Sequence, residues 1–272
     1  MLTPRAFLVP HLPTMLVDEH RHHYTEMLRA LATVSETLRA DAPAAAVVLS
    51  ARWEAPGPFL ASVARRHETL TDYHGFGVEV RYDCQGHPAL ARRAVETARA
   101  AGVRAATASR GVDSGVAVPM HFLAPRRDLR VVPVSIATAP VETHRAWGAA
   151  LRRALDSWPE RVVFVVGGLL SSNWHAWNLT RDVPESREFD ERALEALRRG
   201  AWGELAGGDR RTTEKAQPEA GLRHLEVLRG FLGADLPGTV HCYEPGPGVG
   251  AALVEFALAG AAATREDDAQ PR

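Results

Sequence analysis

The chain has 272 residues, 46% of them hydrophobic, with 32 basic and 33 acidic side chains and a formal net charge of -1. That length and apolar content suffice for one large core. The balanced charge offers no footprint for nucleic acid or an anionic membrane surface. Cys84 and Cys242 make no CxxC pair, so neither a zinc ribbon nor a disulfide framework is indicated, and a reducing cytoplasm is the expected setting. The opening apolar run is too short for a signal peptide, and no stretch approaches the ~20 apolar residues of a membrane span. Every basic residue except Lys215 is arginine, which reads as a composition bias and not as a patch.

In chain order, the first element is a short apolar strand at 6–9 that runs into Pro10-His11-Leu12-Pro13. A histidine between two prolines directly after a buried strand is held rigid, as a metal ligand or a general base must be. A purely structural histidine would look the same. In VDEHRHHY, next along the chain, His20 and His23 could share one helical turn. Two such ligands need a third from elsewhere, and a solvated helix end is the simpler reading.

Helical spacing of Met27, Leu28, Leu31, Val34 and Leu38 marks 24–39. The second strand, 46–50, leads to Ala51-Arg52-Trp53-Glu54, and a helix at 88–101 comes after it. Asp113-Ser114-Gly115 then precedes VPMHFLAP, whose His121 is either a neighbour of the His11 crevice or a hydrogen-bonded core residue. The third strand, 129–136, is followed by residues 137–140, which offer little polar chemistry, and by a helix at 141–157. The fourth strand, 162–166, opens into Gly167-Gly168-Leu169-Leu170-Ser171-Ser172-Asn173, which has the look of a backbone-donor loop for an anion or oxyanion. It is not a Walker loop or a GxGxxG fingerprint, and the chain holds no GxSxG elbow.

A helix at 188–199 precedes a Gly- and Arg-rich stretch, 200–218, expected to be a mobile excursion, and a further helix at 222–232. The chain closes with an apolar segment at 251–258 and the polar tail TREDDAQPR, expected to be disordered. Strands alternating with helices predict an α/β fold, a single domain over 1–263 with a mainly parallel central sheet flanked by helices on both faces, and 264–272 as the tail. Such sheets take ligands beyond the carboxyl ends of their strands. The loops after the first, second and fourth strands are therefore where a site is expected.

Taken together, those loops resemble the class III extradiol ring-cleavage dioxygenases, the superfamily of the protocatechuate 4,5-dioxygenase catalytic subunit, over residues 6–258. AFLVPHLP resembles the opening strand with its iron-binding histidine, which gives His11 that role. VVLSARWE is similar to the second-ligand motif, with Arg52 where a histidine commonly follows Ser-Ala. GVDSGVAVPMHFL resembles a segment that usually reads Asp-His-Gly, with Ser114 in the histidine's place. VVGGLLSSN resembles a loop that supplies a pocket histidine, and Ser172 stands there. A third ligand, usually Glu or His, falls just before the late helix, where Glu219 in KAQPEAGLRHLEVLRGFLGA is the nearest candidate.

In the superfamily, three protein groups hold Fe(II) and leave open positions for substrate and O2. The resemblance implies His11 and Glu219 as the remaining metal ligands here, while Arg52 has no lone pair to give and repels a cation. It implies His11, Arg52, Ser114, Ser172 and His121 as catalytic residues and Trp53, Gly168, Asn173 and His224 as substrate contacts. These losses, together with the Arg-His pair in 222–225 and VHCYEPGPGVGAALVEF, are most similar to metal-free alpha-type subunits that pair with an iron-bearing beta-type subunit. The expectations are a small aromatic substrate, no Fe(II) bound by this chain alone, and a homodimer or a heteromer with such a beta-type partner. One alternative is a self-sufficient enzyme that reuses the pocket with or without Fe(II). Another is a non-catalytic binding protein.

Overall fold

The computed structural model describes residues 2–70, 72, 81–205 and 207–258; the polar tail lies outside them. β1 (Leu2–Val9) is followed by α1 (Thr14–His20) and by α2 (Glu26–Asp41), whose start Thr25 caps by accepting from the Leu28 amide. Then come β2 (Ala45–Ala55), β3 (Phe59–Ser62), the short pair β4 (Arg66–His67) and β5 (Cys84–Gln85), α3 (Pro88–Ala100) and β6 (Ala105–Ala108). The middle of the chain forms α4 (Ser114–Leu123), β7 (Arg130–Ala137), α5 (Val141–Asp156), β8 (Val162–Gly167) and α6 (Trp174–Asn178). The last part comprises α7 (Pro184–Arg199), α8 (Arg210–Ala216), α9 (Arg223–Leu232), β9 (Thr239–Pro245) and β10 (Gly250–Ala257).

Eight strands form one sheet in the order β6-β3-β7-β2-β8-β1-β10-β9. Its centre, β7-β2-β8-β1, is parallel throughout and consists of the four runs expected from sequence. Alternate side chains of these strands enter two cores. Leu8, Val47, Val134 and Phe164 pack under α3, α5, α7 and α9, while Phe7, Val48, Val131 and Val165 pack under α1, α2 and α4. Burial on both faces is why each strand reads as an unbroken apolar run. Among the described residues no helix is long and apolar enough to cross a membrane.

One expectation needs correction, and two segments that the sequence left unassigned take definite form. The described residues between 200 and 218 are folded, with a 3-10 turn at Trp202–Glu204 and with α8. The buried Trp202 indole donates to the Leu236 carbonyl at 2.8 Å and anchors the stretch. The stretch from 114 to 123 is a helix despite Pro119, because the neighbouring elements bury it on nearly every side and no amphipathic period survives in its sequence. The closing segment is an antiparallel hairpin, β9 with β10, joined to the parallel centre through β1.

The position of α9, which carries His224, depends on two glycines. Gly148 of α5 lies against the Val227 carbonyl, and Gly230 of α9 lies against the Arg145 carbonyl, so the two helices touch backbone to backbone. Alanine at Gly230 would gain about 0.5–1 kcal/mol of helix propensity, yet its methyl carbon would overlap the Arg145 oxygen. Overpacking of that kind costs roughly 1–3 kcal/mol. Urea unfolding of Gly230→Ala is therefore expected to show a net loss of stability, and an unchanged or raised midpoint would mean that α5 and α9 part freely.

Candidate functional site

β1 ends at Val9, whose carbonyl accepts from the Gly168 amide at 3.1 Å, so the loop after β1 and the loop after β8 begin side by side. His11 sits there, 1% exposed, with Glu219 at 5%. His11 Nε2 and Glu219 Oε1 are 2.8 Å apart, and Glu219 Oε2 accepts from the Leu169 amide at 2.6 Å. Burial, the largest influence on each, disfavours both charges. The attraction and hydrogen bond between them outweigh it, so the His11 imidazole is raised above its ordinary pKa and the Glu219 carboxyl is held below its own. Arg52 opposes the His11 charge as a like neighbour. The arrangement is a buried, hydrogen-bonded histidine–carboxylate pair in which each group favours the charged form of the other.

His224 completes the cluster. It is fully buried, and its ring lies so close to Gly168 that a Cβ there would come within 2.5 Å of Cδ2. Neither ring nitrogen makes a hydrogen bond of good geometry among the described residues, although the Leu169 and Glu219 backbone lies near enough to favour its charged form slightly. Burial, opposed by Glu219 and reinforced by His11, pushes its pKa down to about 4, so this ring is neutral.

The segment that carries both Glu219 and His224 is strained. Ala220, Gly221 and Leu222 take φ of 49°, 59° and 62°, and Gln217 takes 47°. A left-handed L-residue costs roughly 1–2 kcal/mol, so something must hold the turn closed. Arg223 does so. It makes a forked contact to Glu54, at 2.7 and 2.9 Å, and donates to the Ala220 and Ala137 carbonyls. Thr138 also donates to Glu54, so residues 137–140, expected to offer little, supply part of the latch.

Between Ser50 and Glu54 the pairing of β2 with β7 skips three residues, because Ser50 faces Ser135 and Glu54 faces Ile136. Arg52 projects from this insertion, with its Nε 3.6 Å from Asp72 and its guanidinium carbon 5.8 Å from the Trp174 ring centre. Trp53 is buried instead, under the Arg110 guanidinium. Ser114 gives both its amide and its hydroxyl to Asp72, and Ser50 bonds Asp113 at 2.7 Å.

The expected anion-binding loop does not have free donors. The amides of residues 168–173 go in turn to Val9, Glu219, Gly250, Asp190, Ala216 with Gln217, and Gly248. The Ser172 hydroxyl donates to the Gln217 carbonyl, and Asn173 caps α6 while donating to the Lys215 carbonyl. These side chains brace the loop. His121 pairs with Glu19 of α1 at 2.6 Å, away from the His11 cluster, and His23 pairs with Asp18. Of the sequence candidates, the structure brings together His11, Glu219, His224 and Gly168, with Arg52 and Ser114 beside them. It adds Asp72 and Asp190, for which no local sequence signal existed, and gives Glu54 and Arg223, which lay in segments singled out above, a role as the latch.

Tested against the iron(II) centre that the resemblance implies, this donor set does not fit. His11 Nε2 and both Glu219 oxygens are already engaged with other protein groups, and the Arg52 guanidinium stands nearby. Among the described residues no three His, Cys, Asp or Glu side chains are set to hold a metal.

Fold and site together define a class, an α/β domain with a histidine–carboxylate centre where the loops after the parallel strands meet. The chain belongs to the family described as "Catalytic LigB subunit of aromatic ring-opening dioxygenase", which matches residues 5–254. It is 28% identical over 270 residues to a 2-aminophenol 1,6-dioxygenase alpha subunit of Pseudomonas sp, covering 93% of this chain and 98% of that one. A 4,5-DOPA dioxygenase extradiol of Beta vulgaris is 26% identical, over 74% of this chain and 75% of that protein. An uncharacterized protein of Escherichia coli K12, solved by crystallography, shares the fold with a TM-score of 0.69 at 22% identity, over 92% of this chain and 98% of that one.

Two outcomes test this geometry. Glu54→Gln removes the charge of a partly exposed latch, so the direct loss is about 1 kcal/mol, and hydrogen exchange is expected to quicken selectively over 217–224. Unchanged rates there would show that the turn holds itself. Asp190 is buried and accepts from Ser171 and Tyr243, yet burial raises its pKa from 3.8 to about 6. A raised carboxyl contributes stability that is full below 3.8 and lost as pH rises through 6. The stability of Asp190→Asn relative to the parent is thus expected to improve by up to roughly 3 kcal/mol between pH 4 and pH 7. A pH-independent difference in denaturant unfolding would refute it.

Proposed function

We propose that this chain is a metal-free, alpha-type subunit that works with an iron-bearing beta-type partner in cleaving an aminophenol or a catechol ring. Members of the family generally use Fe(II). The observation that carries the reading is the buried His11–Glu219 pair with Arg52 beside it, which spends the donors a metal would need and places positive charge where a dication would sit. A relative matched over almost its whole length and named an alpha subunit supports the pairing. In this role His11 and Glu219 stabilise the domain, and the setting we infer is the cytoplasm. The expected result is that the chain purified alone holds substoichiometric iron, shows no oxygen uptake with aminophenols or catechols after Fe(II) is added, and keeps its melting temperature in chelator. Adding a beta-type partner is expected to restore uptake. Stoichiometric iron with ring cleavage by the isolated chain would overturn the reading.

A second reading, a self-sufficient enzyme in a repurposed pocket, is favoured by the two unpartnered nitrogens of His224. A buried neutral imidazole with no partner is one that a substrate hydroxyl or amine could meet. Intact turnover in His224→Ala would remove that support.

A further inference from the structure

At the end of the sheet away from His11, a cavity of about 410 Å³ opens between the carboxyl ends of α2 and α4. It lies beside the first residues of the parallel strands, since α2 leads into Ala45, which is level with Arg130 of β7 and Val162 of β8. α4 separates it from the His11 centre, running from Ser114 to Leu123 on the cavity wall, a length of about 15 Å. The volume falls in the range of small-molecule sites. Leu38, Leu123, Ala124 and Leu129 form a buried floor, with Pro43 and Pro125 at the sides. None of the described residues that line it is aromatic, so the cavity suits an aliphatic chain better than a stacked ring.

Helix carboxyl ends carry partial negative charge, but here carbonyls at both ends are already met. Ser35 donates to the Leu123 carbonyl at 2.9 Å, Tyr82 to the Ala124 carbonyl at 3.0 Å, and the Ala42 amide to the Arg39 carbonyl at 3.1 Å. The charge at the rim is therefore set by Arg39, Arg126 and Asp128. Arg126 is paired with Asp128 at 2.8 Å. Arg39 forms no side-chain hydrogen bond or ion pair among the described residues, so one positive charge is left over. An apolar floor below one uncommitted guanidinium is complementary to an alkyl chain that ends in one carboxylate.

We propose that this cavity binds a straight-chain alkyl carboxylate, with the chain against Leu38, Leu123 and Leu129 and the head on Arg39. The head stays at the solvent edge, where Arg39 is exposed, and Asp128 limits the ligand to one negative charge. The site goes beyond the subunit role proposed above and does not depend on it, because no residue of the His11 centre takes part.

Isothermal titration of the full chain with acetate, hexanoate, octanoate, decanoate and octan-1-ol tests the site. Octanoate is expected to bind saturably and acetate not at all, with each added CH2 strengthening binding about three- to fourfold until the cavity is full. Octan-1-ol is expected to bind about fivefold more weakly than octanoate. Arg39→Gln is expected to cost octanoate about fivefold and leave octan-1-ol unchanged, whereas Asp128→Asn is expected to strengthen octanoate about twofold. Both positions are exposed, and melting curves establish that each variant is folded. With octanoate bound, hydrogen exchange is expected to slow over 35–43 and 123–129 and to stay unchanged over 217–224. Absence of saturable binding, octan-1-ol binding as tightly as octanoate, or an Arg39→Gln variant that binds octanoate as well as the parent would each overturn the proposal. So would protection at 217–224 in place of 35–43, which would put the ligand at the other end of the sheet. Sedimentation of the free chain tests the remaining occupant. A dimer that octanoate disperses and Arg39→Gln weakens would assign this face to a second copy and overturn the proposal as well.

Discussion

The hydrogen-bonded pair of His11 and Glu219 is the constraint around which this domain is arranged. Two charges removed from water are tolerable only together, and removing one partner of such a pair typically costs about 3–5 kcal/mol. Everything near the pair serves to keep it closed. The Leu169 amide holds the second carboxylate oxygen, and Gly168 lets the His224 ring press in beside it. The Arg223–Glu54 fork holds the left-handed turn that delivers Glu219 from the far end of the sequence. Without that fork, the strain in the turn would be opposed by the His11–Glu219 contact alone.

The same residues account for the electrostatics of the site. On the proposed reading, the Arg52 guanidinium, beside a histidine whose charged form Glu219 favours, supplies the positive charge that iron supplies elsewhere in the family. A protein cation differs from a metal in having no open coordination position, so it can attract an anion without activating one. That distinction separates a subunit that organises an active assembly from one that carries the reaction.

The fold was legible where burial is symmetrical and hidden where it is not. Val47, Val132 and Val165 lie in strands covered on both faces, and their apolar runs announced the parallel centre. β9 faces the core on one side and alternates weakly, and Gly and Pro interrupt the hairpin it makes, so its pairing with β10 could not be read. α4 lost its helical signature because almost every side is buried and Pro119 interrupts it. Within the site, His11 was visible because prolines flank it at a strand end. The contact to Glu219 spans 208 positions, and no local pattern encodes such a meeting. Glu54, Asp72 and Asp190 looked like ordinary surface acids for the same reason. The Gly167–Asn173 loop misled because its composition matches that of a ligand-binding loop, whereas the protein itself consumes every amide from 168 to 173.

The three-residue insertion in β2 bears on how such a protein changes over time. Ser50 and Glu54 are both fixed in register against β7, so residues 51–53 form an arch with anchored feet. A substitution at its crown alters the charge facing the centre and leaves the hydrogen bonds of the sheet untouched. Chemistry at this position can therefore drift by single replacements that the fold does not resist. A lineage can give up one reaction or adopt another binding preference here without passing through an unfolded intermediate.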